Sequence, residues 1–202
     1  MSRRGSSGRW LEEHRHDPYV KKARVEGRIA RSAYKLVEID KRDKLLRPGA
    51  TVIDLGAAPG GWSEYAGECV GAKGQVFALD RLEMMPLKRV QFIQGDFSEQ
   101  SVLDELTTCL GDQRPHVVLS DLAPNFSGLR QVDQARCMEL AELATEFALE
   151  HLDKEGAFLV KVFHGEGFDP FVKDLRARFQ RVATRKPDAS RSRSRETYIL
   201  AR

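Results

Sequence analysis

The chain has 202 residues, of which 41% are hydrophobic. This length and composition favour one α/β-sized domain with a sizeable core over two domains. No apolar run approaches the ~20 residues that span a bilayer, and residues 1–9 lack the apolar stretch of a signal peptide, so we expect a cytoplasmic protein. The three cysteines, Cys69, Cys109 and Cys137, are too few and too scattered for a disulfide framework or a zinc site. We expect them to be reduced.

The net charge of +3 conceals an uneven distribution along the chain. Residues 1–50 carry 14 Lys and Arg against 7 Asp and Glu, and residues 172–202 carry 10 against 3, whereas residues 51–171 carry 9 against 20. Two basic ends on one face of a compact domain would attract a polyanion such as RNA or DNA. A merely solvated basic surface is the alternative, and the charge pattern alone leaves both open.

The chain begins with helical patterns and then changes to alternating strands and helices. Residues 1–17 are polar and aperiodic, which predicts a flexible basic arm. Residues 18–46 favour two helices broken near Gly27, the second with Ser32 as its N-cap. The predicted strands are 51–55, 75–79, 90–94, 116–120, 157–163, 181–185 and 197–201, and the predicted helices are 62–70, 102–110, 131–152 and 168–179.

The alternation of strands and helices predicts a parallel sheet that is covered on both faces. Because the last two predicted strands have no helix between them, we expect them to form an antiparallel hairpin at one sheet edge. The expected architecture is an α/β, Rossmann-like fold with a mostly parallel, seven-stranded sheet. A single domain is expected over residues 18–202, with N-terminal helices over 18–46 and the core over 51–202.

The loop after the first predicted strand is rich in small residues. Its sequence, VIDLGAAPGGW over residues 52–62, joins a strand to a helix N-terminus, and glycines there let a ligand approach the backbone. The loop lacks the Lys-Ser/Thr of a phosphate-binding P-loop and departs from the dinucleotide pattern G-x-G-x-x-G; a plain tight turn is the other alternative. The order D-x-G-x-x-P-G-G-W resembles the first motif of class I S-adenosylmethionine-dependent methyltransferases, which implies that Gly60 and Trp62 bind the cofactor.

Acidic residues follow the next three predicted strands. Asp80 ends the second strand about twenty residues after the loop, where a carboxylate accepts hydrogen bonds from ribose hydroxyls. Asp96 follows the third strand and is expected to reach the adenine amino group, with Phe97 packed on the ring. Either of these two aspartates alone is equally compatible with a turn former, but their joint placement after consecutive strands favours a nucleoside site. Asp121 ends the fourth strand.

Lys161 interrupts an otherwise apolar strand over residues 158–163. A buried lysine is costly unless it is paired, and burial with a cationic neighbour would make its amine usable as a general base. Asp121 ends the adjacent strand and is expected beside it. The alternative is a lysine near a strand end whose amine reaches solvent. The segment LSDLAPN over residues 119–125 differs from the D/N/S-P-P-Y-like segment of amine N-methyltransferases and contains no cysteine for pyrimidine C5-methylation.

Four dispersed residues carry a family resemblance. Lys35, Asp121, Lys161 and Glu196 resemble the K-D-K-E tetrad of the FtsJ/RrmJ-type RNA ribose 2′-O-methyltransferases. The neighbouring strings are similar too: RSAYKL at 31–36, DLGAAPGGW at 54–62, LSD at 119–121, VKVF at 160–163 and SRETY at 194–198. The resemblance extends from about Arg15 to Ala201. Since no further C-terminal domain is evident, the chain resembles the members that modify a uridine in large-subunit (23S) ribosomal RNA more than nucleolar or viral cap enzymes.

The resemblance implies S-adenosylmethionine-dependent 2′-O-methylation of a uridine ribose in 23S ribosomal RNA, on the assembled or assembling 50S subunit. We further expect a monomer that does not bind a membrane, and, because the methyl group on a sulfonium is already activated, a reaction that needs no metal. Lys161 would remove the 2′-hydroxyl proton or hold it ready for loss, and Asp121 would orient Lys161 and lie near the methyl donor. Lys35 and Glu196 would position the hydroxyl and affect Lys161 electrostatically. Aligning the two substrates would supply most of the acceleration.

Several alternatives remain at this stage. The same chemistry could act on tRNA or an mRNA cap, and a non-catalytic RNA-binding ribosome-assembly factor could keep a relic cofactor pocket. A dinucleotide oxidoreductase is disfavoured because the sequence of the loop over residues 52–62 departs from the G-x-G-x-x-G pattern. For RNA docking we expect the basic residues of the N-terminal helices and of the segment before the last strand: Lys21, Lys22, Arg24, Arg28, Arg31, Arg191, Arg193 and Arg195.

Overall fold

A seven-stranded sheet in the order β3-β2-β1-β4-β5-β7-β6 lies at the centre of the molecule. The computed structural model describes residues 17–191 and 194–202, so all but one residue of the predicted basic arm lies outside the described residues. The strands are β1 (Thr51–Leu55), β2 (Gln75–Asp80), β3 (Val90–Gln94), β4 (Val117–Ser120), β5 (Ala157–Phe163), β6 (Val182–Arg185) and β7 (Glu196–Ala201). The helices are α1 (Pro18–Glu26), α2 (Ala33–Asp43), α3 (Gly61–Val70), α4 (Gln100–Leu110), α5 (Arg130–His151) and α6 (Phe168–Arg178).

The sheet is parallel except for its C-terminal strands. Strands β3, β2, β1, β4 and β5 pair in parallel, whereas β7 runs antiparallel between β5 and the edge strand β6. The predicted fold class and the predicted terminal hairpin are therefore confirmed. Most differences from the predicted elements are one or two residues at their ends, where helices fray and assignments vary; the second N-terminal helix ends at Asp43, three residues before the predicted limit of 46.

Apolar side chains cover both faces of the sheet, as expected for parallel strands whose faces are both buried. Alternate residues of one strand point to opposite faces, so Ile53 packs with helices α4, α5 and α6, whereas Val52 packs with helices α2 and α3. The carboxyl ends of the parallel strands remain open to loops and carry the candidate site. No helix in the described part of the chain is both long and apolar enough to cross a membrane.

The N-terminal helices have well-defined ends. Helix α1 starts at the N-cap Asp17, whose carboxylate accepts the Tyr19 amide at 2.9 Å, and ends where Gly27 adopts φ 68°. Ser32 stands at the N-cap position of α2, but its backbone is already helical and its side chain makes no capping hydrogen bond. The predicted N-cap position of Ser32 is therefore confirmed, but its side chain does not cap the helix. Its carbonyl instead accepts the indole N–H of Trp62 at 2.9 Å.

Helices α1 and α2 also hold the segment that leads into β7. Arg31 pairs with Asp17 at 2.7 Å and donates to the carbonyl of Ala189. Glu38 accepts the Tyr19 hydroxyl at 2.8 Å and the Ala189 amide at 3.2 Å. These contacts fix the start of the loop that delivers β7 to the site.

Candidate active site

Lys161 and Asp121 meet at the carboxyl end of two adjacent strands. Ser120 of β4 pairs with Val160 of β5, so the next residue of each strand comes side by side. The Lys161 side chain is only 7% exposed, and its Nζ lies 2.6 Å from the Asp121 carbonyl oxygen and 3.1 Å from Oδ1. The amine is therefore buried and paired, rather than extended to solvent.

Lys35 and Glu196 form a second ion pair at the same end of the sheet. Lys35 Nζ lies 2.7 Å from Glu196 Oε1, and the two side chains are 14% and 12% exposed. Glu196 also accepts the Ser190 hydroxyl at 2.9 Å. The structure thus brings together four residues that are separated by up to 161 positions in the chain.

Tyr198 links the two ion pairs. Its hydroxyl donates to Asp121 Oδ1 at 3.0 Å and accepts from Lys35 Nζ at 3.2 Å. The side chain is fully buried, and burial, followed by the nearby charge of Asp121, raises its pKa well above the ordinary value of 10. The hydroxyl therefore stays protonated and can keep donating to Asp121. Tyr198 and Asp121 lie between Lys35 and Lys161 in this chain of hydrogen bonds.

A cavity of about 500 Å³ adjoins Asp121, within the range usual for small-molecule sites. Asp80, Asp96 and Phe97 line it together with Asp121, as the sequence suggested for a nucleoside site. Four carboxylates and two guanidinium groups lie in its wall: Asp80, Asp96, Asp121, Glu139, Arg81 and Arg136. An excess of carboxylates suits a ligand that carries positive charge better than a polyphosphate.

The backbone of the small-residue loop packs tightly at this cavity. Gly56 has φ 80°, and a Cβ at that position would lie 2.8 Å from the Leu122 amide nitrogen, so only glycine fits. Asp80 braces the loop because its carboxylate accepts the Ala58 amide at 3.0 Å and the Leu82 amide at 2.8 Å. The carboxylate of Asp96 is held in turn by the amide and hydroxyl of Ser98.

Asp54 is an acidic group beneath this loop that carries a strongly perturbed pKa. It is completely buried in β1, and Ser63 donates to its Oδ2 at 2.6 Å, whereas Oδ1 has no hydrogen-bond partner among the described residues. Burial is the main cause that raises its pKa to about 7, and the charges of Asp121 and Asp80 add to the rise. The charge of this buried carboxyl group therefore depends on pH near neutrality.

Gly60 and Trp62 do not line the cavity. Gly60 is the N-cap of α3 with φ 112°, and Trp62 is 3% exposed and packs against Tyr198 at 5.6 Å between ring centroids. Any contact with a ligand would have to come from the first backbone amides of α3, which lack acceptors within the helix. The indole itself supports the ring of Tyr198.

The predicted RNA-docking residues divide into two groups. Lys21, Lys22 and Arg24 are exposed on α1. Arg28 instead pairs with Glu68 at 2.8 Å, and Arg31 is bound by Asp17 and the Ala189 carbonyl, so the expectation that these two face phosphates is not supported. Arg191 is half-buried, Arg195 is exposed, and Arg193 lies outside the described residues.

Comparison with known proteins identifies the family. A family model described as FtsJ-like methyltransferase matches residues 28–202. The chain belongs to the FtsJ-like methyltransferase family. Its seven-stranded sheet, with β7 antiparallel between β5 and β6, is the framework on which this FtsJ-like methyltransferase builds the two linked ion pairs.

Relatives of this FtsJ-like methyltransferase match over nearly their whole length. A protein of Xanthomonas campestris pv. campestris named ribosomal RNA large subunit methyltransferase E is 57% identical over 199 residues, which cover 98% of this chain and 95% of the relative. The protein of the same name from Dechloromonas aromatica is 55% identical over 202 residues, covering 100% and 98%.

Solved structures agree with the fold. A protein of Plasmodium falciparum described as a ribosomal RNA methyltransferase superposes with a TM-score of 0.77 at 28% identity, covering 86% of this chain and 96% of that one. Fibrillarin of Aeropyrum pernix, solved with bound S-adenosylmethionine, shares the fold with a TM-score of 0.59 at 15% identity, covering 85% and 74%.

Tyr198 and Ser190 contact the two ion pairs of this FtsJ-like methyltransferase, but they were not identified from the sequence as site residues. Tyr198 lies two positions after Glu196 on the same strand, and the alternation of strand side chains places both on one face. That spacing was the available signal. Ser190 lies in an aperiodic loop, and no local pattern marks it.

The three cysteines are unpaired, as predicted. Within residues 17–191 and 194–202, no group of three or more His, Cys, Asp or Glu is arranged to hold a metal ion.

Proposed function

We propose that this FtsJ-like methyltransferase transfers a methyl group from S-adenosylmethionine to the ribose 2′-hydroxyl of a uridine in large-subunit (23S) ribosomal RNA. The observation that carries the proposal is the buried Lys161–Asp121 pair beside the acid-lined cavity, joined through Tyr198 to Lys35 and Glu196. The names of the relatives support ribosomal RNA as the substrate class. The substrate would be the assembled or assembling 50S subunit, met in the cytoplasm by a monomeric enzyme.

The cavity fits S-adenosylmethionine by its size and its charge. A sulfonium and an ammonium group make the methionine end of this molecule cationic, which suits a wall in which carboxylates outnumber guanidinium groups. Asp80 would accept the ribose hydroxyls, Asp96 would accept the adenine amino group beside Phe97, and the amides that follow Gly60, including that of Trp62, would bind acceptor atoms at the start of α3. Bound S-adenosylmethionine supplies a methyl group already activated on sulfur, so the reaction calls for no metal.

The residues of the cluster would divide the remaining work. Lys161, once its ammonium has released a proton to solvent, would accept the 2′-hydroxyl proton at Nζ, a role typically worth about 10²–10⁴-fold in rate. Asp121 would fix the direction of Nζ through its carbonyl and carboxylate. Lys35 and Glu196 would position the ribose hydroxyl. Tyr198 would hold the two ion pairs in a fixed position relative to each other through its hydrogen bonds to Asp121 and Lys35. Because these groups act as a unit, replacing Lys35 and Glu196 by alanine should give losses that do not add.

The exposed basic residues of α1 would position the RNA without reading its sequence. Lys21, Lys22 and Arg24 are exposed and can meet phosphates, whereas Arg28 and Arg31 stabilise the fold through their carboxylate partners. Phosphate contacts of this kind set register and orientation on a nucleic acid. They would bring one ribose to Lys161.

Substrate competition with labelled cofactor tests the proposal. Large ribosomal subunits from cells that lack this gene, transfer RNA and capped mRNA would each be incubated with the enzyme and labelled S-adenosylmethionine. We expect the label in large-subunit RNA, in a 2′-O-methyluridine identified by nuclease digestion and mass spectrometry. Label in transfer RNA or the cap would contradict the substrate assignment. RNA binding without any methyl transfer in a single turnover would indicate a non-catalytic assembly factor.

A further inference from the structure

A second cavity, of about 310 Å³, lies close to Lys161 in the candidate active site. Phe126 and Phe163 lie in its wall with ring centroids 6.1 Å apart and planes at 84°. Lys161 Nζ lies 5.9 Å from the centroid of the Phe163 ring, so the cavity begins next to the proposed general base. Arg130 and Arg195 are exposed and line the same cavity.

The segment between β4 and α5 separates this cavity from the first one. Residues 121–125 line the acid-rich cavity, whereas Phe126 and Gly128 line the second. The Asp121–Lys161 pair therefore lies where the two cavities approach each other. A methyl donor in the first cavity and an acceptor in the second would meet at Lys161.

Phe126 is an exposed aromatic residue on a braced turn. Its side chain is 60% exposed. A phenylalanine with a purely structural role would gain free energy by burying its ring away from water. The turn that follows it is fixed by Asp133, which accepts the Ser127 amide at 2.7 Å, the Ser127 hydroxyl at 2.8 Å and the Gly128 amide at 3.0 Å. The structure therefore holds an apolar ring toward solvent at the mouth of the cavity.

The chemistry of the wall matches a nucleobase. Unstacked RNA bases are bound by stacking on aromatic side chains, and arginine side chains beside the ring suit the flanking phosphates. Gln134 is 6% exposed in the same wall, and its Nε2 donates to the Phe163 and Glu166 carbonyls at 3.0 Å each. Its Oε1 has no hydrogen-bond partner in the described part of the chain and is buried against Gly165, so Gln134 supports the wall through its Nε2 contacts.

We propose that this second cavity receives the base of the nucleotide that is methylated, with the base stacked on Phe126. The inference rests on the proposed function, because it takes the ribose of the same nucleotide to lie at Lys161. The glycosidic bond joins base and ribose directly, so a base held beside Phe163 keeps its own 2′-hydroxyl near Lys161 Nζ. The nucleotide must then leave its stack in the RNA, and Phe126 replaces the neighbouring base that it loses.

Replacing Phe126 tests the stacking contact. Phe126→Ala should lower the second-order rate constant of single-turnover methyl transfer to unmethylated large ribosomal subunits by roughly 5- to 150-fold. This factor corresponds to ~1–3 kcal/mol of base–aromatic stacking. Phe126→Tyr and Phe126→Trp should retain the rate, because any aromatic ring stacks. Leu129→Ala is the matched control, since Leu129 is 64% exposed in the same segment and lines neither cavity. The affinity for S-adenosylmethionine should be unchanged in all four variants.

A substrate without the acceptor base separates stacking from other effects. Large subunits reconstituted with an abasic ribose at the modified position should react equally slowly with wild type and Phe126→Ala. A persistent difference on the abasic substrate, an undiminished rate of Phe126→Ala on the normal substrate, or an equal loss in Leu129→Ala would overturn the inference. Wild type that fails to methylate any ribosomal particle would instead overturn the proposed function and, with it, the base site.

Discussion

The hydroxyl of Tyr198 provides a quantitative test of the linked ion pairs. Tyr198→Phe keeps the buried ring against Trp62 but removes the hydrogen bonds to Asp121 Oδ1 at 3.0 Å and Lys35 Nζ at 3.2 Å. Hydrogen bonds to charged groups contribute about 1.5–3 kcal/mol each. Because Asp121 and Lys35 keep their ion-pair partners at 3.1 and 2.7 Å, we expect the total loss to be near that of one such bond, about 2–3 kcal/mol.

Urea unfolding of the cofactor-free protein measures this loss. The midpoint should fall while the slope stays constant, and Tm should fall by roughly 2–4 °C for each kcal/mol. Tyr65→Phe is the matched control, because its hydroxyl donates to Asp40 at 2.8 Å outside the cluster; it should lose stability but keep the turnover of the folded enzyme, whereas Tyr198→Phe should lose both. Stability of Tyr198→Phe within about 0.5 kcal/mol of wild type would refute the reasoning, since that is the scale of an ordinary surface substitution.

Three further predictions concern the cofactor, the RNA and the fold. Asp80→Ala should weaken S-adenosylmethionine binding by about 1–3 kcal/mol in calorimetry, and unchanged affinity in the folded variant would remove Asp80 from the site. Replacing Lys21, Lys22 and Arg24 by alanine should flatten the salt dependence of RNA binding, by up to about 0.7–0.9 in log–log slope for each phosphate that is no longer neutralised, with cofactor affinity unchanged; an unaltered slope would indicate a merely solvated surface. Asp43→Asn should lower the free energy of unfolding by about 1–3 kcal/mol at pH 7. The reason is that hydrogen bonds from Arg185 hold the pKa of Asp43 below its usual range. That contribution is present above the unfolded pKa of about 3.9 and is lost as pH falls through the lower folded pKa, so the urea midpoints of variant and wild type should converge as pH falls below the unfolded value; a constant difference would contradict the assignment.

The fold and the central pair were predictable from sequence for a physical reason. Short apolar runs that alternate with helical patterns require a parallel sheet, and residues at the ends of neighbouring parallel strands lie together. A lysine within an apolar strand stands out because burial without a partner is costly. Asp121 and Lys161 are therefore expected as a pair from the strand pattern alone, whereas Lys35 and Glu196 are marked only by the family resemblance.

The contacts that sequence did not reveal join residues far apart in the chain. Tyr198 lies in an apolar strand and is typical of a core ring, and only the antiparallel pairing of β7 with β5 sets it opposite Lys161. Trp62 follows the glycine loop and was expected at the cofactor, yet its indole is directed to Ser32 and Tyr198. Arg28 has the charge of a phosphate contact, but it lies in the connection between α1 and α2 and pairs with Glu68 on α3.

Single-turnover methyl transfer by a Lys161 variant tests the central claim most directly. Wild type, Lys161→Ala and the exposed control Lys154→Ala, which lies in the turn just before β5, would be mixed with labelled S-adenosylmethionine and unmethylated large ribosomal subunits. We predict that Lys161→Ala, folded by circular dichroism, reacts roughly 10²–10⁴-fold more slowly, with cofactor affinity nearly intact and Lys154→Ala unaffected. A folded Lys161→Ala enzyme that forms 2′-O-methyluridine at near wild-type rate would contradict the account.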